Sequence, residues 1–208
     1  MTSTAPALAS SPAGHLDAAA VGLLFSEART HMVWTSQPVT DDELRQIYDH
    51  AKMGPTSMNS SPLRLVFVRS PEAKARLLPA VAPLNVEKVR TAPVTAIFAY
   101  DSSFHEELPR LFPQKDGKAI FSGMPVEGRS RFAEQSALLE GGYAILAARG
   151  LGLDVGPLGG FDRDKVDAEF FPDGRWRTML LVNLGHGDAS KLFPRNPRLS
   201  FEDACRIE

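Results

Sequence analysis

Residues 92–101 read APVTAIFAYD, and no other stretch constrains the fold as much. The run is apolar at both odd and even positions and has the length of a strand. A strand that can bury both faces belongs at the centre of a sheet with layers packed on each side. The other elements must then supply neighbours and covering helices. LRLVFVRS from Leu63 and WRTMLLVNLGHGD from Trp176 read as further strands, and LDVGPLGG from Leu153 reads as a strand leaving into a glycine-rich turn.

The helical signals lie between them in no regular βαβ rhythm. HLDAAAVGLLFSEART has helical apolar spacing with Asp17 as its N-cap. In VTDDELRQIYDHAKMG, Thr40 and Glu43 form a capping box and Gly54 ends the helix. SPEAKARLLPAV opens a short helix with proline in its first turn, and Asp162 caps another in DRDKVDAEF. RFAEQSALLEGGYAILAARGLGL predicts a long helix over 130–149, with Ala133, Ala137, Leu138, Gly141, Ala144, Ile145 and Ala148 on its buried side. Small residues at that spacing let another backbone approach closely. Residues 103–130 mix Phe, Pro and Gly and read as an irregular excursion of the kind that lines binding sites. The last twenty residues read as an extended basic arm with a final turn. The sum is an α+β fold: a mostly antiparallel or mixed sheet flanked by helices. Residues 1–14, rich in Ala, Ser, Thr and Pro, read as a disordered lead-in rather than a signal peptide, and 15–208 as a single domain.

Charge and composition exclude several classes of function. A net charge of −2 gives no global field toward nucleic acid or an anionic membrane. No apolar run approaches the roughly 20 residues that span a bilayer. One cysteine, Cys205, permits no intrachain disulfide and fits a reducing cytoplasm. The five histidines are scattered without ligand spacing, so no metal site is expected. GLGLDVGPLGG is not a dinucleotide fingerprint, because Val155 stands where the third glycine belongs and the glycines follow a helix. Walker and nucleophile-elbow motifs are absent.

Four polar segments remain: ARTHMVW with Arg29 and Thr30, GPTSMNSSPLR with Thr56, Ser57 and Asn59, APLNVEKV with Asn85 and Lys88 one helical turn apart, and PRNPRL with Arg195 and Arg198. Basic clusters with hydroxyls and amides suit a phosphorylated, flat, polar ligand. Each also has an ordinary reading alone: Arg29 as a helix cap, Asn59 as an Asx turn, Lys88 as a solvated lysine, Arg195 and Arg198 as an exposed arm.

In their order along the chain these segments resemble the nitroreductase family. GPTSMNSSPLRLVFV is similar to its P-S-S-x-N-x-Q-P-W segment, ARTHMVW to its N-terminal arginine segment, ALLEGGYAILAARGLGLDVGPLGGF to its central helix and following turn, and PRNPRL to its C-terminal phosphate arm. FSEARTH, TAPVTAIFAYDSSF, GLDVGPLGGFDR and PRLSFEDAC further resemble the malonic semialdehyde reductases of pyrimidine degradation (RutE type). The resemblance implies an α+β sandwich, an intertwined homodimer, and FMN-dependent NAD(P)H oxidoreductase activity. Hydride would pass from NADH or NADPH through flavin N5 to a small acceptor in a ping-pong cycle. The alternatives it leaves are a broad nitroaromatic or quinone reductase and a non-catalytic flavin-binding dimer.

It further implies Arg29, Thr30, Arg198 and Arg195 at the FMN phosphate and ribityl chain, Asn85 and Lys88 at the polar edge of the ring, and Pro157, Leu158, Gly159 and Gly160 against the ring, with a glycine N–H facing N5. Thr56, Ser57 and Asn59 would reach across the interface to the partner's flavin. No side chain need be an acid–base catalyst; Lys88 would give electrostatic support. Phe104, Phe112 and Phe121 could cover the flavin or be core, and Arg110, Lys115 or Lys118 could meet an acceptor carboxylate. Three departures stand out: Met32 where the family carries a cation, Ser61-Pro62-Leu63 for Q-P-W, and Gly159 for a glutamate.

Overall fold

The computed structural model describes residues 14–208, so the expected lead-in, except Gly14, lies outside the described residues. Four antiparallel strands form one sheet in the order β1-β2-β4-β3: β1 Leu63–Val68, β2 Val94–Asp101, β3 Asp154–Leu158 and β4 Trp176–Gly185. β2 is interior, as its two-sided apolar sequence requires. Val94, Ala96 and Phe98 face one core and Ile97 and Ala99 the other, which is the period-two alternation of a strand packed on both sides. A bulge at Phe98/Ala99 shifts the register against β4.

The helices divide between the two faces. On the first lie α2 (Asp41–Ala51) and α7 (Val126–Gly150), whose Ile47, Ala51, Ala137, Ala144 and Ala148 meet Phe98, Met179 and Val182. On the second lie α3 (Pro71–Leu77), α4 (Pro83–Thr91) and α8 (Arg163–Phe170), whose Leu77, Val89 and Val166 pack with Ile97 and Leu181. The close approach that the small residues of α7 allow is real: a Cβ on Gly141 would stand 3.2 Å from the Phe98 ring.

The N-capping signals all form, but α2 ends at Ala51 with Lys52 as its C-cap, so the expected stop at Gly54 lies beyond the helix. Thr40 and Glu43 exchange side-chain and backbone bonds at the start of α2, Ser70 caps α3, and Asp162 caps α8. Asp17 caps α1 (Ala18–Val21), but after one turn the chain widens into a π turn, Gly22–Ser26, instead of continuing as a single α-helix.

Three expectations are corrected. α7 begins at Val126, not 130, because Pro125 supplies the extended N-cap and the intervening Gly128 is tolerated inside the helix. Leu138 is 44% exposed and Ile145 half-buried, while Ser136 and Glu140 are buried in their place. Leu138 lies about 100° round the helix from Ala137 and so leaves the buried face. Residues 103–130 are not irregular throughout: they form the turn Phe104–Glu107 and the short helices α5 (Leu108–Leu111) and α6 (Gly117–Ser122). The tail follows the expectation, extended apart from the turn Ala189–Lys191 until α9 (Phe201–Ala204).

Candidate functional site

The C-terminal arm folds back over the end of the N-terminal helical segment. Arg29 donates to the Phe193 carbonyl, and Arg195 donates to the carbonyls of Ser26 (2.6 Å) and Ala28 (2.9 Å). The cap expected of Arg29 is thus made by Arg195 from the arm, while Arg29 fastens the arm instead. Between arm and helix lies a cavity of about 770 Å³ lined by Arg29, Thr30, Arg149, Arg195, Asn196 and Arg198 among others. None of its lining residues is acidic. None of its four arginines makes an ion pair among the described residues.

Arg149 is the member that sequence reasoning missed. It lies in the last turn of α7 and donates to the Leu24 carbonyl at 2.9 Å, but its Nε is buried without a partner. Burial, and then the neighbouring Arg195 charge, hold its guanidinium below the usual arginine range. Asp154 opposes that shift from the adjoining pocket, where it and Glu27 stand with Arg29 and Arg149, but the cavity itself has a cationic lining, which favours an anion there.

The cavity shares Thr30 and Met32 with a narrower cleft of about 280 Å³ beneath β3. This cleft is lined by Asn85 and Lys88 from α4, by Gly156, Pro157, Leu158 and Gly159, and by Asn183 of β4. Backbone pairing draws the walls together: Thr30 bridges to Val155, and the His31 N–H donates to the Val155 carbonyl at 3.0 Å. Pro83 at the first turn of α4 sets the helix so that Asn85 and Lys88 share a face. Lys88 donates to Asn85 Oδ1 at 2.9 Å, and Asn85 Nδ2 donates to the Gly160 carbonyl at 3.3 Å. At Gly160 a Cβ would displace the Asn85 amide from its present position, whereas Gly159 faces open space. Nine of the expected residues are therefore assembled around two connected spaces or on their wall: Arg29, Thr30, Asn85, Lys88, Pro157, Leu158, Gly159, Arg195 and Arg198, with Gly160 directly behind.

Thr56, Ser57 and Asn59 line neither of these spaces within one chain. They sit on a strained loop in which Met58, Asn59 and Ser61 all have left-handed φ values of 54°, 49° and 40°. Non-glycine residues stay in that region only when their surroundings over-determine it. Here Thr56 Oγ1 accepts from the Ser61 N–H (3.1 Å) and Asn59 Nδ2 donates to the Leu111 carbonyl (2.8 Å). The buried Glu140 of α7 accepts from Ser61 Oγ (2.7 Å) and from the Leu63 N–H (2.9 Å). Ser61, the departure from the family's glutamine, is thus held by a carboxylate from the central helix. Glu140 was not foreseen, although a lone acid among the small residues of a buried helical face was a signal for it.

Phe104 and Phe121 are core residues, 0% and 2% exposed; Phe104 stacks on Phe132, Phe121 meets both rings at an angle, and Phe112 packs half-buried against them. Arg110 is paired with Glu107 at 3.0 Å. Among the described residues no group of three or more metal-ligating side chains occurs. No helix among them is long and apolar enough to cross a membrane.

A profile of the nitroreductase family matches residues 27–186. A Rhodopseudomonas palustris (strain TIE-1) protein named as an NADH dehydrogenase/NAD(P)H nitroreductase is 58% identical over 196 residues, covering 94% of this chain and 97% of its own. A structure from Exiguobacterium sibiricum 255-15, described as a nitroreductase in complex with FMN, superposes with a TM-score of 0.80 at 22% identity, covering 89% of this chain and 95% of its own. A Bacillus subtilis nitroreductase structure gives a TM-score of 0.83 at 17% identity over 91% and 99%. The chain belongs to the nitroreductase family.

Proposed function

We propose that the chain is an FMN-dependent NAD(P)H oxidoreductase that works as a homodimer and reduces malonic semialdehyde to 3-hydroxypropionate. The observation that carries the cofactor reading is the cavity with four arginines and no acid, opening into a flat cleft edged by Asn85 and Lys88. Its donor set fits FMN: a dianionic group at the arginine end, a planar ring with a polar edge at the other. The buried unpartnered Nε of Arg149 is a feature that such a ligand would explain.

When bound, FMN supplies the hydride chemistry between NAD(P)H and the acceptor. The chain's own work is binding and electrostatics. Arg29, Arg149, Arg195 and Arg198 would hold the phosphate, with Thr30 beside them. Asn85 and Lys88 would address the polar edge of the ring, and Lys88 would favour negative charge there. Pro157, Leu158, Gly159 and Gly160 would form the wall against which the ring lies. The Thr56–Asn59 loop would serve the partner's site. The dimer is supported by the apolar outer face of α7, where Leu138, Leu139 and Tyr143 are exposed around Gly142, and by Phe193, Leu199 and Phe201 on the arm. The acceptor reading rests on the subgroup resemblance. Lys115 and Lys118, exposed and without a carboxylate partner among the described residues, are candidates for the acceptor carboxylate, since Arg110 is engaged.

The test is direct. Purified protein should be yellow or take up FMN in titration, and should bleach anaerobically with NADH or NADPH. Malonic semialdehyde, a nitroarene and a quinone are then compared as acceptors. Protein that binds no FMN would overturn the cofactor reading; turnover of the nitroarene and quinone without 3-hydroxypropionate formation would overturn the acceptor.

A further inference from the structure

Behind the cleft lies a buried cation with no carboxylate beside it. Lys74 on α3 is 7% exposed, makes no ion pair among the described residues, and is pushed down by burial to about 8. An uncompensated ammonium in a protein interior is costly and calls for an explanation. Its two acceptors are the Val89 carbonyl (2.7 Å) and Thr95 Oγ1 (2.6 Å).

The chain of bonds continues. Thr95 Oγ1 donates to Asn183 Oδ1 at 2.7 Å, and Asn183 Nδ2 donates to the Lys88 carbonyl at 3.1 Å. Asn183 lines the cleft, although it is 1% exposed. An ammonium can only donate. Thr95 must therefore accept from Lys74 and spend its own hydrogen on the amide, which turns the oxygen of Asn183 toward Thr95 and its NH₂ toward α4 and the cleft. The same network satisfies two successive carbonyls in the last turn of α4, those of Lys88 and Val89. Carbonyls at a helix C-terminus have no partner within the helix, and a cation is favoured there. α4 is the helix that carries Asn85 and Lys88.

We propose that Lys74 is a positioning residue of the cleft: acting through Thr95 it fixes Asn183 as a hydrogen-bond donor, and with it holds the end of α4, so that Asn183 and Lys88 together present donors to a ring edge made of acceptors. Asn183 Nδ2 spends one hydrogen on Lys88 and makes no second bond among the described residues, which leaves one for a ring carbonyl. The inference rests on the flavin reading of the cleft and adds to it a ligand-facing residue and the source of that residue's polarity. A purely structural Lys74 would matter to stability and not to the ring.

The experiment uses five variants: Lys74→Met, Thr95→Val, Thr95→Ser, Asn183→Leu and Thr95→Val/Asn183→Leu. Thr95→Val keeps the volume and the bond from Lys74 to Val89 but removes the relay; Thr95→Ser keeps the hydroxyl. FMN dissociation constants by fluorescence titration, the flavin midpoint potential and apoprotein melting are measured for each. Thr95→Val and Lys74→Met should weaken FMN about three- to tenfold, the loss of one hydrogen bond with a neutral acceptor, and shift the potential to more negative values. Thr95→Ser should restore both. The double variant should bind FMN no more weakly than Asn183→Leu alone, since the relay has nothing left to orient. Should Lys74→Met fail to fold, Thr95→Val carries the test. Wild-type affinity and potential in Thr95→Val, with only melting altered, would overturn the inference while the flavin reading stands. Wild-type protein that takes up no FMN would overturn the flavin reading first.

Discussion

Replacing Glu140 separates the hydrogen-bonding role of a buried acid from its charge. The side chain is 1% exposed and accepts from Ser61 Oγ and the Leu63 N–H. Burial raises its pKa above the usual 4.5, against the opposing pull of those two bonds and of Arg64. The folded state therefore holds the Glu140 proton more tightly than the unfolded chain does. Its contribution to stability is full below about 4.5 and is lost as pH rises through the folded value, so at neutral pH the charge is a burden that the acceptor geometry offsets. Glu140→Gln can keep both contacts, its Oε1 accepting from Leu63 and its Nε2 donating to Ser61. It should stay within about 1 kcal/mol of wild type at pH 7.5 and gain on it between pH 4.5 and 7.5. Glu140→Leu strands a buried N–H and loosens a loop with three left-handed residues. At roughly 1–3 kcal/mol for the stranded Leu63 N–H, with Ser61 free to rotate its hydroxyl, and about 1 kcal/mol more for the loosened loop, the loss is about 2–4 kcal/mol. For a chain of this length that is roughly 5–15 °C in melting temperature. Thermal unfolding across that pH range, at one fixed protein concentration, checks both variants. Equal losses for Gln and Leu, or a Gln–wild-type difference that does not move with pH, would refute the reasoning.

The remaining predictions concern the cofactor and the assembly. Arg198→Ala and Arg149→Met should each weaken FMN binding about ten- to a hundredfold, the worth of a charge-assisted bond of roughly 1.5–3 kcal/mol, with turnover at saturating FMN nearly normal; titration with unchanged affinity would exclude either residue from the phosphate site. Lys88→Met should leave most FMN binding intact but lower the midpoint potential by on the order of 20–60 mV, from roughly 1–3 kcal/mol at the ring edge. Spectroelectrochemistry giving a wild-type potential would return Lys88 to a solvated role. Light scattering at micromolar concentration should find only dimer, because the exposed apolar residues of α7 and the arm need a partner; a stable flavin-loaded monomer would contradict this.

What the sequence made legible divides by distance along the chain. Caps such as Thr40–Glu43, Ser70–Ala73 and Asp162–Lys165 close within three residues, so local chemistry specifies them. The contacts that build the candidate site join residues 75 to 169 positions apart, as in Asn85–Gly160 and Arg195–Ser26. Only the sheet order and the return of the arm bring these together. Family resemblance substituted for that knowledge where a motif existed, and so it reached Arg29, Asn85 and Lys88 but not Arg149, Glu140 or Asn183. Thr56, Ser57 and Asn59 stand apart within one chain for a different reason, since their proposed work is on a partner's cofactor.

One unread signal was nonetheless present in the stretch that most constrained the fold. In VTAIFAYD each residue from Val94 to Ala99 is buried, and Thr95 is the only one of them with a polar side chain. A hydroxyl in a strand covered on both faces must find a donor or an acceptor from another element, and a threonine can relay between the two. Its neighbour across β4 is Asn183, paired with it in the register of β2 and β4. With β2 at the centre of the sheet Thr95 required at least one polar partner, and the buried Lys74 and Asn183 both serve it. An interior hydroxyl in an otherwise apolar strand is thus a statement about its unseen neighbours, and in this chain it points from the core to the cleft.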